Sequence, residues 1–188
     1  MYDFTYHRPS SLDDAAVAIK GAGDGTFLAG GQTLLPILKL RLANPSDVVD
    51  LGSIAELKGI TVDGDTVTIG AMTPHAEVAG SADVCAKIPA LADLAESIGD
   101  LQVRNRGTIG GSIANNDPAA DYPAAVVGLG ATVHTNARTI AADDFFTGLL
   151  ETALNDGEII TAVSFPVPDK AAYQKYGNPA SRYAIVGV

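Results

Sequence analysis

The nine residues Leu28-Ala29-Gly30-Gly31-Gln32-Thr33-Leu34-Leu35-Pro36 run through a strand end, a glycine pair, two polar side chains and a helix start. Paired glycines let backbone N–H groups approach a ligand with no Cβ in the way. A helix start behind them adds its dipole, and that order is the order of an anion site. Outward from this stretch, Phe4-Thr5-Tyr6 reads as a short strand ending at Pro9. Ser10 or Ser11 caps a helix with Asp13 and Asp14 in its first turn, followed by Ala15, Val17, Ala18 and Ile19 and stopped by Gly21 or Gly23. Thr26 to Ala29 is a second strand. Leu34 to Leu42 reads as a helix with Pro36 in its first turn, where a missing N–H is harmless. Asp47 to Leu51 returns as a strand, so residues 1–52 form a compact βαβ-like unit.

From residue 53 the pattern changes. Gly59 to Val62 and Thr66 to Gly70 flank Asp63-Gly64-Asp65 as a hairpin with a glycine-bearing turn. Helical stretches are expected around Pro74 to Gly80 and Ala90 to Ile98. A long loop from Thr108 leads to a buried helix at Ala124 to Leu129. Ala131 to Thr135 and Arg138 to Ile140 make a second hairpin about Asn136-Ala137. Glu158 to Pro166 is a strand rich in β-branched residues, and Arg182 to Val188 reads as another.

The segment Thr108-Ile109-Gly110-Gly111-Ser112 repeats the glycine pair, here between two hydroxyls. Two such segments suit a ligand with a diphosphate and extended polar arms, and a dinucleotide fits best. Tight turns at strand ends are the competing explanation for either pair alone.

Composition narrows the field. With 47% hydrophobic and 18% charged residues among 188, the chain can bury a sizeable core. Its net charge of −10 repels nucleic acid and anionic membranes. The densest basic stretch, Arg104-Asn105-Arg106, reads as a solvated loop. No apolar run is long enough for a membrane span, and Met1 to Phe4 lacks the features of a signal peptide. The single cysteine, Cys85, excludes an internal disulfide and a four-cysteine cluster, and its expected role is packing. A soluble, cytoplasmic protein is expected.

Other motifs lead nowhere. Gly21-Ala22-Gly23-Asp24-Gly25 has the outline of a dinucleotide fingerprint but follows a helix, so helix capping is its role. There is no phosphate-binding Gly-Lys-Ser/Thr loop. His7, His75 and His134 are scattered without ligand spacing, which points to surface or capping roles instead of metal binding. Asp143-Asp144 reads as a cap before Phe145-Phe146. The chain offers no acid–base machinery of its own, which fits a fold whose bound cofactor does the chemistry.

At these residues the sequence resembles a known family. Leu28 to Pro36, then Ile98-Gly99-Asp100-Leu101-Gln102-Val103-Arg104-Asn105-Arg106-Gly107 and Thr108 to Ser112, resemble the FAD-binding medium subunit of molybdenum hydroxylases, the carbon monoxide dehydrogenase and xanthine dehydrogenase relatives. The likeness continues through Asp117 to Asp121, Asp144-Phe145-Phe146 and Tyr173-Gln174-Lys175, in order over nearly the whole chain.

The resemblance implies an α+β (α/β) fold of the p-cresol methylhydroxylase type, with two α/β subdomains clasping one noncovalent FAD. Residues 1–52 would be the first subdomain, 53–170 the second, and 171–188 the start of a C-terminal domain. By the same resemblance Ala29, Gly30, Gly31, Gln32, Thr33 and Leu34, with Thr108, Ile109, Gly110, Gly111 and Ser112, hold the pyrophosphate and flavin region through backbone N–H groups. Ile98 packs on the ring system, and Asp121 accepts hydrogen bonds from a polar edge of FAD. Ile160 and Lys175 match further contact positions. Thr73 and Asn116 join them from their position in loops.

The function implied is electron relay in a heterotrimer. A large subunit with the molybdenum cofactor oxidises substrate, a small subunit with two [2Fe–2S] clusters carries electrons onward, and FAD here passes them to an external acceptor such as NAD or a quinone. Family members typically continue for about another hundred residues, the length of a typical domain. The chain stops at what reads as that domain's first strand, with unpaired edges open to aggregation or swapping. Two further readings stand beside this one. A self-sufficient flavin oxidase of the same fold group would need an active-site base that the sequence does not display. A truncated, non-catalytic interaction fragment is motivated by the end at Val188.

Overall fold

A computed structural model describes residues 1–188. Three parallel strands, β1 (Thr5–His7), β2 (Gly25–Leu28) and β3 (Asp47–Asp50), form the first sheet in the order β1-β3-β2. Helix α1 (Leu12–Gly21) links β1 to β2, and α2 (Leu34–Lys39) links β2 to β3. The Oγ of Ser11 accepts from the Asp14 N–H at 3.1 Å and fixes the start of α1. Its end is capped by Ala22, in extended conformation, so neither Gly21 nor Gly23 supplies a left-handed cap. The expected helix to Leu42 stops at Lys39, because Arg41 turns left-handed (φ 57°) and the chain leaves toward β3.

Two single 3-10 turns, Leu51–Ser53 and Ala55–Leu57, lead to the second sheet. It is antiparallel throughout, ordered β4-β5-β10-β6-β7. Its strands are β4 (Ile60–Asp63), β5 (Thr66–Gly70), β6 (Thr132–Thr135), β7 (Thr139–Ala141) and β10 (Ile160–Pro166). Between β5 and β6 lie six helices: α3 (His75–Gly80), α4 (Ala82–Lys87), α5 (Pro89–Glu96), α6 (Leu101–Arg104), α7 (Ile109–Asn115) and α8 (Tyr122–Gly128). A one-turn α9 (Ala142–Phe145) and the short pair β8 (Phe146–Gly148) and β9 (Glu151–Thr152) precede β10. The terminal hairpin joins β11 (Lys175–Gly177) to β12 (Ala184–Gly187).

The larger core lies between the second sheet and its helices, with Ile69, Val133, Val163 and Phe165 facing Leu91, Leu94, Ile113, Tyr122 and Val126. A smaller core packs α1 and β3 against Leu51, Ile54 and Leu57, and it also takes in Met72 and Ile159 from the second sheet's neighbourhood. Those two residues tie the sheets together. No helix is long and apolar enough to cross a membrane.

Three local expectations are corrected. The segment after Thr108 is helix α7, not a loop: Thr108 is extended (φ −125°) and its Oγ1 accepts from Gly111 N at 3.2 Å as an N-cap. Two glycines in one helix each cost roughly 1 kcal/mol of propensity, yet packing demands them. A Cβ on Gly110 would lie 2.6 Å from Ala71 Cβ and 2.7 Å from Ala71 O. Arg104 is no solvated loop residue: its side chain is 12% exposed and donates to Ile98 O at 3.1 Å and Glu96 Oε1 at 3.0 Å. Cys85 is exposed on α4 and unpaired, so packing does not explain it.

Candidate functional site

Where the sheets meet there is a cavity of about 560 Å³, inside the range of about 300–1,000 Å³ that small-molecule sites occupy. Residues Ala29, Gly30, Gly31, Gln32, Thr33 and Leu34 form one wall. Gly31 is left-handed (φ 74°), and the backbone N–H groups of Gly30, Gly31, Gln32 and Thr33 donate to no protein acceptor. Four successive unclaimed donors in one turn form a backbone nest for a negatively charged or carbonyl-rich group.

The facing wall comes from the second sheet's helices. Thr108, Gly110, Gly111 and Ser112 line it, whereas Ile109 is fully buried in the larger core. Four backbone N–H groups of this second glycine segment are engaged within the protein. Ile109 N donates to Thr73 O, Gly110 N to Ala71 O, Gly111 N to Thr108 Oγ1 and Ser112 N to Thr108 O. What the segment contributes is closeness. A Cβ on Gly111 would meet the Cβ of Ala29 at 3.0 Å, and a Cβ on Gly30 would run into the Arg106 carbonyl and lie 2.7 Å from Gly107 Cα. The two segments seat against each other only because both carry glycine.

Apolar side chains complete the wall, among them Ile98, Val103, Met72, Leu154 and Ile160. Ile98 and Ile160 therefore sit where a ring system could pack. Thr73 and Asn116 do not reach the cavity. Thr73 Oγ1 bridges both backbone groups of Gly59, and Asn116, left-handed at φ 43°, donates to Gly148 O and Glu151 O from the end of α7. Both hold loops in place.

Asp121 lines the cavity and is 4% exposed, but its carboxylate already has partners. Lys175 Nζ donates to Oδ2 at 3.0 Å and Tyr173 Oη to Oδ1 at 2.7 Å. Lys175 also donates to Ser97 O at 3.1 Å and lies outside the cavity wall, in an adjoining polar hollow with Glu96, Arg104 and Arg182. The segment 173–184 thus straps over one end of the cavity, where Ser181, Arg182 and Tyr183 add to the lining. Arg182 Nη1 bonds Gly99 O at 3.2 Å, and Ala184 N bonds Ala119 O at 3.3 Å. Burial, then the Asp121 bond, raises the Tyr173 phenol and keeps it a donor.

Among the wall residues that the sequence reading missed are His75, Glu158 and Tyr183. His75 is 5% exposed and held neutral with a pKa of about 4, first by desolvation and then by the charge of Arg104. Glu158 accepts from Arg138, Thr135 and Asn155, and the Arg138 bonds chiefly hold its pKa down to about 2. Tyr183 comes from a segment whose strand pattern says nothing of a cavity. No spacing rule in the sequence marks any of the three.

The wall set matches FAD in kind. Unclaimed N–H donors suit a diphosphate, apolar residues suit a flavin ring, and the glycine cradle is one a single Cβ would fill. Comparison with known proteins agrees. Residues 2–168 match the family model described as FAD binding domain in molybdopterin dehydrogenase. The carbon monoxide dehydrogenase medium chain of Afipia carboxidovorans is 43% identical over 96% of this chain and 66% of its own length. The glyceraldehyde dehydrogenase medium chain of Sulfolobus acidocaldarius is 38% identical over 99% of this chain and 68% of its own. The crystal structure of a Cu,Mo-CO dehydrogenase superposes with a TM-score of 0.92 at 41% identity, covering 98% of this chain and 68% of that one. The chain spans about two thirds of the length of these relatives. On fold, cavity and sequence together, the chain belongs to the family of FAD-binding domains of molybdopterin dehydrogenases.

Proposed function

We propose that the chain is the FAD-carrying part of the medium subunit of a molybdenum hydroxylase, an oxidoreductase in which substrate is oxidised on a partner subunit. The observation that carries this reading is the nest of four unclaimed N–H donors at Gly30 to Thr33, facing an apolar wall across a cavity closed by two glycine segments. When bound, FAD supplies the capacity to take up a pair of electrons and pass them on. The chain's own residues bind and orient it: the nest holds the diphosphate, Ile98 and Ile160 flank the ring, and the Asp121–Lys175 pair anchors the strap over the cavity's end. No side chain here is assigned a role in substrate chemistry.

The partners in this reading are a small subunit with [2Fe–2S] clusters and a large subunit with the molybdenum cofactor, with NAD or a quinone as external acceptor. Residues 1–52 and 53–170 act as the two FAD-binding subdomains, and 171–188 opens a further domain. An exposed, unpaired Cys85 supports a reducing, cytoplasmic setting. The test is a visible absorption spectrum of the purified chain after FAD addition and gel filtration. A flavin spectrum that stays with the protein and is released on denaturation supports the reading, and a colourless protein that rejects added FAD refutes it.

A further inference from the structure

His75 is a buried titratable group with no protein partner at either ring nitrogen. It opens α3, its backbone N–H donates to Gly107 O at 3.0 Å, and its ring forms part of the cavity wall. The two nitrogens differ. Nδ1 is sealed away from solvent, whereas Nε2 is not among the sealed atoms. Nε2 lies against Gly107, where an added Cβ would come within 2.5 Å of it. Tyr122, with its ring centroid 5.2 Å away, also keeps a sealed hydroxyl without a partner.

Proton placement follows from those surroundings. A buried N–H without an acceptor is rarer in folded proteins than an acceptor left short of a donor, and an enclosed unsatisfied donor carries its full desolvation cost. Nδ1 is the sealed nitrogen with no acceptor in reach, so the lone pair belongs on Nδ1 and the proton on Nε2. Desolvation and the Arg104 charge keep the ring from taking a second proton at physiological pH. The result is a neutral imidazole with its one N–H on the nitrogen left open and uncommitted. Gly107 is the residue that leaves room for that edge of the ring.

We propose that His75 is a cofactor-contact residue whose Nε2–H donates a hydrogen bond to an acceptor oxygen or ring nitrogen of FAD, outside both glycine segments. The inference rests on the cavity holding FAD. It assigns an element that neither the glycine pattern nor the apolar wall supplies, a directional donor on the floor between α3 and Gly107. The bond forms without a change in protonation, so it orients and polarises the ligand at constant charge.

The experiment is proton–nitrogen correlation NMR of the nitrogen-15-labelled 188-residue chain, before and after saturation with FAD. The His75 ring is expected in the Nε2–H form, with the Nε2 resonance moving on FAD addition. In parallel, His75→Phe is expected to weaken FAD binding about fivefold, the loss of one ordinary hydrogen bond, and to displace the flavin absorption maximum. His75→Gln, which keeps an N–H donor, is expected to recover part of both. An Nδ1–H tautomer, or a ring resonance that FAD leaves unmoved, overturns the proposal even if the variants fail to fold. Wild-type affinity and spectrum in a folded His75→Phe overturn it as well. Failure of the wild-type chain to bind FAD removes the cavity assignment first and this contact with it.

Discussion

Replacing Gly30 with alanine tests whether the two glycine segments are seated against each other. The new Cβ would run into the Arg106 carbonyl and lie 2.7 Å from Gly107 Cα, about 0.8 Å inside the ~3.5 Å at which carbon atoms begin to pack favourably. Both obstacles are backbone, and Gly107 is itself pinned by its carbonyl's bond to His75 N. No rotamer change relieves the clash, so the turn at residues 30–33 must back away from residues 106–107. Overpacking of this kind costs about 1–3 kcal/mol, and the upper end applies where backbone must move. At ~2–4 °C per kcal/mol for a chain of this size, the melting temperature is expected to fall by about 6–12 °C. FAD affinity should fall with it, because the donor nest moves. Gly21→Ala is the control: a Cβ there meets nothing within 4 Å, and at the end of α1 it is expected to raise stability by up to about 1 kcal/mol. Circular dichroism melts and FAD titration read both variants. Gly30→Ala melting with wild type and binding FAD equally well would refute the seating argument.

Two further substitutions probe the charges around the cavity. Lys175→Met leaves the buried Asp121 carboxylate with Tyr173 alone and is expected to cost about 3–5 kcal/mol in urea unfolding; Asp121→Asn in the same chain should restore part of that loss, and strict additivity of the two would argue against a coupled pair. Glu158→Gln removes the charge on which Arg138, Thr135 and Asn155 converge and is expected to cost about 1.5–3 kcal/mol. Because Glu158 has a folded pKa of about 2 against an ordinary 4.5, its contribution is present in full above about pH 4.5. That contribution is lost as pH falls toward 2. The wild type should therefore lose stability in that window more steeply than Glu158→Gln, and parallel acid profiles would count against the assignment.

The first unit was legible because its signals are local. Ser11, Asp13 and Asp14 mark the start of α1, and the glycine pair follows β2 directly, so strand, turn and helix fall in the order read. The hairpins around Gly64 and around Asn136-Ala137 were equally plain. Helix α7 was not, because Gly110 and Gly111 signal a loop by propensity. The reason for them, a close approach to Ala71 and Ala29, lies in parts of the chain well before them. Asp121 and Lys175 show the same limit from the other side. Each was assigned singly to a ligand, and the fold brings them together across the strap. His75 and Glu158 carry no spacing signal, since what places them in the wall is tertiary packing. The apolar wall residues Ile98 and Ile160 were reached through the resemblance alone.

The contact between Gly30 and Arg106 also bears on how the molecule assembles. The pair stands far apart in sequence, as do Ala29 and Gly111, or Asp121 and Lys175. Closing such long loops costs entropy before any contact repays it. The hairpins β4–β5 and β6–β7 of the antiparallel sheet have short-range pairings to gain first, so the chamber between the sheets is completed late. A ligand held by that chamber recognises a nearly finished chain. It therefore acts as a latch on the end of folding, slowing unfolding and leaving the rate of first collapse unchanged.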